Sequence, residues 1–322
     1  MFKVGVVLAL IGLALCSPPV VRTRKEIESF RNFLERTRTE NGVRLPKQLL
    51  ASSKASAWEN SGKFEGDIVL DDWQVEAMIQ NFAAGRNAYI WPNTKWPEDT
   101  IVYEFVEGEF DAAQREAIMN GIRDIEANSC VKFRERLPGE FNYVRLTGTT
   151  NGCYASVGYW FDRGPHTLNL GRNSPGVGCF VHGTIVHEIL HVIGFFHMHS
   201  THNRDDYVRI EWDNMWFGVE HNFDSYGPHI TDNMGLPYEY TSIMHYGPYA
   251  FSMNGRPTIV ALRSFEGEMG QQERVTDYDW LRLRRHYNCP GGWSKDSIVI
   301  ESESENEKVI VVENAEQPYK FV

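Results

Sequence analysis

The stretch His187-Glu188-Ile189-Leu190-His191-Val192-Ile193-Gly194-Phe195-Phe196-His197 constrains this chain more than any other feature. Residues four apart on a helix lie on one face, so His187 and His191 can present their imidazoles to a single ion. Glu188 is rotated by one residue, which sets its carboxylate beside that ion without binding it. Gly194 suits the left-handed conformation that ends a helix, after which the chain turns and His197 supplies a third nitrogen. This extended spacing is far more specific than a bare His-Glu-x-x-His. Three protein ligands leave a fourth position for water, the mark of a catalytic rather than a structural zinc site. One Zn2+ per chain is therefore the expected cofactor. Zinc lowers the pKa of bound water from about 15.7 to about 7, and Glu188 is placed to take the proton as the water attacks. The fold must bury a helix from about Gly183 to Gly194, end it sharply, and return the chain to the same point. His182, His199 and His202 lie off this pattern and read as structural or surface histidines.

The chain has 322 residues, enough for one large domain or two medium ones. Its formal net charge of -11 argues against nucleic acid or an anionic membrane as partner, because phosphate binding needs a basic face. Residues 1–16 read as a secretory signal: Lys3 supplies a positive start, Val4 to Leu15 is almost wholly apolar, and Ala14 and Cys16 are small. The apolar run is too short for a bilayer core of roughly 30 Å, which takes about 20 helical residues. The mature protein is expected to be secreted and extracellular. Cys16 would leave with the signal. Cys130, Cys153, Cys179 and Cys289 then form an even set in an oxidising compartment, which favours two disulfides. Three pairings are possible. The nested one, Cys153–Cys179 inside Cys130–Cys289, is preferred, with a short inner loop and an outer bond tying the two ends of one domain.

Residues 17–86 differ in character from the rest of the chain. Their first part is basic and contains no mature cysteine, and Ile27, Phe30, Phe33 and Leu34 recur at the spacing of a short amphipathic helix. Ser52 to Gly62 is polar and small, as in a loop. The stretch reads as an inhibitory pro-segment ending at Arg86, where Gly85-Arg86-Asn87 offers a site to a trypsin-like activating protease. Strands are expected at Tyr89–Trp91, Ile101–Phe105, Val131–Glu135, Tyr143–Thr147, Tyr154–Phe161 and Thr167–Leu170. Helices are expected from Asp111, as N-cap, to about Ala127 and from Asp277 to about Tyr287. Residues 87–290 form the catalytic domain, and residues 291–322 an acidic C-terminal tail.

At these residues the sequence resembles the astacin family of metzincin zinc metalloendopeptidases, from roughly Phe64 to Cys289. The likeness includes Thr167-Leu168-Asn169-Leu170-Gly171, Gly183-Thr184-Ile185-Val186 leading into the zinc helix, and Arg204-Asp205-Asp206-Tyr207-Val208 after it. Ser242-Ile243-Met244-His245-Tyr246 resembles the family's Met-turn. By that resemblance Met244 is an apolar floor under the zinc. Tyr246 is an additional zinc ligand at rest that swings away to stabilise the oxyanion. Phe64-Glu65-Gly66-Asp67 resembles the family's pro-segment motif, which implies that Asp67 takes the fourth zinc position in the precursor. The four mature cysteines also match the family's nested pairs. One position departs: the family usually has Glu directly after the third histidine, linked to the freed N-terminus in a buried cavity, and here that residue is Met198.

The resemblance implies an α+β, two-lobed fold. A twisted mixed sheet and helices lie above the cleft, and a loop-rich C-terminal lobe lies below it. The expected activity is hydrolysis of peptide bonds in extracellular proteins or peptides by a monomer. An edge strand within about Cys153–Tyr159 is expected to pair with extended substrate. The loop Gly270–Val275 is expected to border the pocket after the scissile bond, where Arg274 would favour acidic residues.

Overall fold

The computed structural model describes residues 22–40, 42–43, 57–59, 61–84, 95–162, 164–227 and 231–294. The expected signal peptide, the Arg86 processing site, the Tyr89–Trp91 strand and the tail beyond Ser294 lie outside the described residues.

The first helix, α1 (Arg24–Arg38), starts at a capping box: Thr23 accepts from the Glu26 backbone while the Glu26 side chain accepts from the Thr23 backbone. Its apolar face buries Phe30, Phe33 and Leu34, three of the four residues whose spacing predicts it. A short strand β1 (Ile68–Val69) and a second helix α2 (Asp72–Ala83) come next. The sequence reading did not anticipate α2, although Asp71 caps it and Val75, Met78 and Ile79 make its buried stripe. Phe30 of α1 meets Phe82 of α2 at 4.4 Å between ring centroids.

The main sheet has six strands in the order β1-β5-β6-β4-β2-β3. Its further members are β2 (Thr100–Phe105), β3 (Lys132–Glu135), β4 (Val144–Thr147), β5 (Cys153–Ser156) and β6 (His166–Leu170). All neighbours are parallel except β5 and β6, which run antiparallel with Ala155 opposite Leu168. Helix α3 (Ala112–Asn128) has Asp111 as its N-cap. It packs on α4 (His182–Ile193) through Gly121, where an added Cβ would stand 2.9 Å from Ile185 Cγ2. After α4 the described chain runs through short 3-10 turns, a two-stranded sheet of β7 (Val208–Ile210) and β8 (Ile259–Ala261), and a last helix α5 (Asp277–His286). This is the expected α+β division: sheet with α3 and α4, then a loop-rich lobe.

Two sequence expectations are corrected. The strand expected over Tyr154–Phe161 ends at Ser156. Gly158 takes a positive φ of 68° and its N–H bonds the His191 carbonyl, so the chain leaves the sheet and braces the zinc helix. The loop expected over Ser52–Gly62 is not a solvated one where it is described, because Trp58 and Glu59 are almost completely buried. Cys130 is bonded to Cys289 and Cys153 to Cys179, spanning 159 and 26 residues. No helix among the described residues is long and apolar enough to cross a membrane.

Candidate metal centre

Helix α4 is apolar on nearly every face, so it is held inside the molecule, and His187, Glu188 and His191 are all fully buried. It ends at Gly194, with φ at 129°, whose N–H bonds back to the Leu190 and His191 carbonyls. The reversed chain brings His197 against the first two histidines, with ring centroids 5.3 Å from His187 and 4.8 Å from His191.

Asp67 completes the cluster. Its Oδ2 lies 3.0 Å from His187 Nε2 and 3.3 Å from His197 Nε2, and its Oδ1 lies 3.5 Å from His191 Nε2. The four donor atoms fall within 4.8 Å of one another, all buried. Among the described residues His191 Nε2, His197 Nε2 and Asp67 Oδ1 have no hydrogen-bond partner, a costly state for buried polar atoms unless something else binds them. Three imidazole nitrogens and one carboxylate oxygen converging on one point suit tetrahedral zinc. The charges agree. Burial pushes His187 down to about 4, keeping it neutral. Burial would raise Asp67, but the charges of His197 and His191 and the His187 hydrogen bond hold it well below the usual range. Burial would lower His197 too, yet the Asp67 and Glu65 carboxylates draw it up to about 9, so the site favours a positive charge.

The other ring nitrogens are held. His187 Nδ1 bonds the Ile243 carbonyl at 2.8 Å and His191 Nδ1 the Phe195 carbonyl at 2.7 Å. With Nδ1 donating to a carbonyl, each neutral ring turns its Nε2 lone pair toward the Asp67 side of the cluster, where a metal would sit. His197 Nδ1 bonds Glu65 Oε2 at 2.8 Å. Sequence reading did not locate these acceptors: two are backbone carbonyls, and one comes from the same four-residue motif as Asp67.

Glu188 is fully buried, and neither carboxylate oxygen has a partner among the described residues. Burial, and then the Asp67 charge, raise it well above the usual carboxylate range. A carboxylate with such proton affinity is suited to general-base work. Met244 is buried, and its carbonyl accepts from Met198 N at 2.8 Å, which ties the Met-turn to the residue after His197. Asp279 at the start of α5 holds the same turn by accepting from Ser242 Oγ and Ile243 N. The Tyr246 hydroxyl donates to the Glu65 carbonyl, so its proton is engaged with the N-terminal segment. His199 lies under Tyr246, with ring centroids 3.7 Å apart, while His182 pairs with Asp124 at the surface. His202 reaches the Thr231 carbonyl at 3.4 Å. None of these three histidines joins the cluster.

Trp58 was missed by sequence reasoning. Its indole stacks on His187 and His197, at 4.1 and 5.0 Å between centroids. Nothing in a single sequence links Trp58 to a helix about 130 residues later. Gly66 is needed where it stands: its φ is 86°, and a Cβ would come within 2.6 Å of the Glu59 carbonyl. Met198 lines a cavity of about 50 Å³ beside Arg282 and His286. Arg282, which also lines it, is paired with Glu239 at 2.7 Å and Asp279 at 3.3 Å. Arg274 is exposed, but its loop abuts the centre. The Gln272 side chain accepts from Thr184 at the start of α4, and Gly270 lies against Tyr246 and Gly247.

Comparison with known proteins agrees with the geometry. Residues 89–288 match the family model of the Astacin peptidases. The chain is 35% identical over 227 residues to zinc metalloproteinase nas-4 of Caenorhabditis elegans, covering 70% of this chain and 69% of that protein. It is 38% identical over 245 residues to meprin A subunit beta of Homo sapiens, covering 75% of this chain but only 32% of the relative. It likewise spans about half of zinc metalloproteinase nas-13 of Caenorhabditis elegans, 52% of that length. Among solved structures, high choriolytic enzyme 1, a hatching enzyme zinc-protease from Oryzias latipes, superposes with a TM-score of 0.53 at 31% identity, covering 61% of this chain and 93% of the other.

Proposed function

The chain belongs to the astacin family of peptidases and is a zinc metalloendopeptidase, and we propose that it is made as a secreted precursor whose residues 17–86 hold the site shut. The observation that carries this reading is the Asp67 carboxylate lying among His187, His191 and His197. These three histidines would hold zinc, with Asp67 occupying the position that substrate water needs. Bound there, zinc would supply Lewis acidity toward the scissile carbonyl and acidify its water.

The remaining roles belong to the chain. Glu188 accepts the proton of the attacking water and returns it to the leaving amine. The Tyr246 phenol donates to the developing oxyanion once Glu65 has left its hydroxyl. Met244 supports the histidines from below. The β5 edge, which β1 covers through Ile68 opposite Ala155, becomes available for an extended peptide. Cleavage after Arg86 by a trypsin-like protease would release the segment. The catalytic domain, 87–290, acts as a monomer on extracellular proteins, and Arg274 draws acidic residues to the side after the scissile bond. The two disulfides suit an oxidising compartment.

The test is cleavage of a diverse peptide library before and after limited trypsin treatment, with Glu188→Ala handled identically. Cleavage should appear after treatment and fall by about 10²- to 10⁴-fold in Glu188→Ala. Equal activity in both chains would remove Glu188 from the reaction. An Arg274→Ala arm should lose preference for acidic residues, and an unchanged profile would end that assignment.

A further inference from the structure

The three histidines differ in what orients them. His187 and His191 lean on carbonyls of Ile243 and Phe195, both within the catalytic domain. His197 leans on the Glu65 carboxylate, which belongs to the pro-segment. Glu65 has no exposed surface, and its other oxygen accepts from Ser200 Oγ at 3.0 Å and the Tyr226 hydroxyl at 2.5 Å. Its backbone N–H donates to Asn222 Oδ1 at 2.9 Å, and its carbonyl accepts from Tyr246. The residue holds a positive φ of 45°, a conformation that non-glycine residues adopt at a cost and keep only when their surroundings over-determine it. Five hydrogen bonds do so here. A carboxylate on the far nitrogen of a metal-binding imidazole orients the ring and makes it a stronger donor than a carbonyl partner does.

We propose that Glu65 is the positioning residue for His197, and that it exists in the protein only while the pro-segment is attached. The precursor therefore holds zinc more tightly than the processed protease, by a contribution separate from Asp67. This rests on the precursor reading above. On processing, His197 alone among the three ligands loses its orienting partner, and Tyr226, Ser200 and Tyr246 lose their shared acceptor in the same step. The same residue thus couples zinc retention to the release of Tyr246.

The test is zinc competition against chelators of graded affinity, on the intact full-length protein and again after processing and removal of the segment. Glu65→Gln keeps the side chain's size and removes its charge. It should weaken zinc retention in the unprocessed protein by about 10- to 100-fold and alter the absorption bands of the cobalt-substituted form. Tyr226→Phe removes a donor to Glu65 but leaves the His197 contact, so it should leave both readouts near wild type. After processing, the wild-type and Glu65→Gln chains are identical and must retain zinc equally, which checks that the variant folded. Unchanged retention in unprocessed Glu65→Gln would overturn the proposal. So would an equal loss in Tyr226→Phe, since Glu65 would then only seat the segment. The precursor reading is judged separately, by whether wild-type activity rises on processing.

Discussion

Asp67 and Glu65 are two residues apart, and together they engage all three histidines of the site. Gly66 between them allows it, because only a residue without Cβ fits under the Glu59 carbonyl. Asp67 is fully buried and, among the described residues, its charge is matched by the histidine cluster. Replacing it by Asn keeps the volume and removes the ligand charge. Unprocessed Asp67→Asn should therefore gain peptidase activity of about tenfold or more, equivalent to about 1.4 kcal/mol of lost hold on the fourth position. The measurement is a fluorogenic peptide assay on protein shown by mass spectrometry to be intact. If the intact variant stays silent, the closure lies in Trp58 and Glu65 and Asp67 is incidental. The grouping of His187 and His191, with Glu188 beside them, was legible from spacing alone, since i and i+4 on a helix is a local relation, and the structure brings His197 to the same point. Glu65, Trp58 and the Ile243 carbonyl were not, since each meets the site only through long-range folding, and the Phe195 carbonyl reaches His191 only because the chain turns back after Gly194.

Helix α4 depends on its neighbours for its position. It starts at His182 with no side-chain cap, and the loop Gly270–Val275 lies against its first turn. At Gly183 an added Cβ would come 2.0 Å from the Gln272 carbonyl oxygen, a backbone atom with little freedom to yield. Gly183→Ala should destabilise the protein by about 1–3 kcal/mol through overpacking and lower Tm by several degrees, visible by calorimetry. A variant as stable as wild type would show that the loop moves freely, and would remove the physical link between α4 and the Arg274 loop. Two helix starts were readable: Asp111 is the expected N-cap of α3, and α5 begins at Asp277 as expected, with Thr276 as its cap. Helix α2 carried the same signals, but its apolar stripe is short and follows directly on the apolar run Ile68-Val69-Leu70. The β5 end was misread because the alternating pattern continues past Ser156, while Gly158 and its bond to His191 turn the chain away.

Across the whole molecule, the two lobes are joined by the Cys130–Cys289 bond and bridged by the N-terminal helices α1 and α2. Trp73 of α2 meets Trp160 above, and Phe30 and Phe33 of α1 pack on His221 below. The fold also buries histidines remote from the metal centre. Burial takes His166 from the ordinary 6.5 to about 4 and His286 to about 3. Both are depressed in the folded state, so the unfolded chain takes up protons that the folded one refuses. Stability is fully present above pH 6.5 and declines as pH falls toward 4. For His166 the loss is on the order of 3 kcal/mol. Thermal melts between about pH 7.5 and 4.5 should show a shallower decline for His166→Gln than for wild type, while any effect at the zinc ligands is common to both. Parallel declines would mean that His166 is protonated in the folded state.

The sequence by itself determined the chemistry: three histidines and a glutamate whose spacing, closed by Gly194, admits few alternatives to a catalytic zinc site. It also determined the Asp111 cap and the even cysteine set, because a cap depends on neighbours along the chain and the cysteine count on composition alone. Only the tertiary structure decided what surrounds that chemistry. The acceptors behind His187 and His197, the indole stacked on them and the partner of the Tyr246 hydroxyl come from segments far away along the chain. No local periodicity records such contacts. They arise from how Trp58, Glu65 and Ile243 are drawn against the histidines, where burial leaves each polar atom with whichever partner the packing supplies.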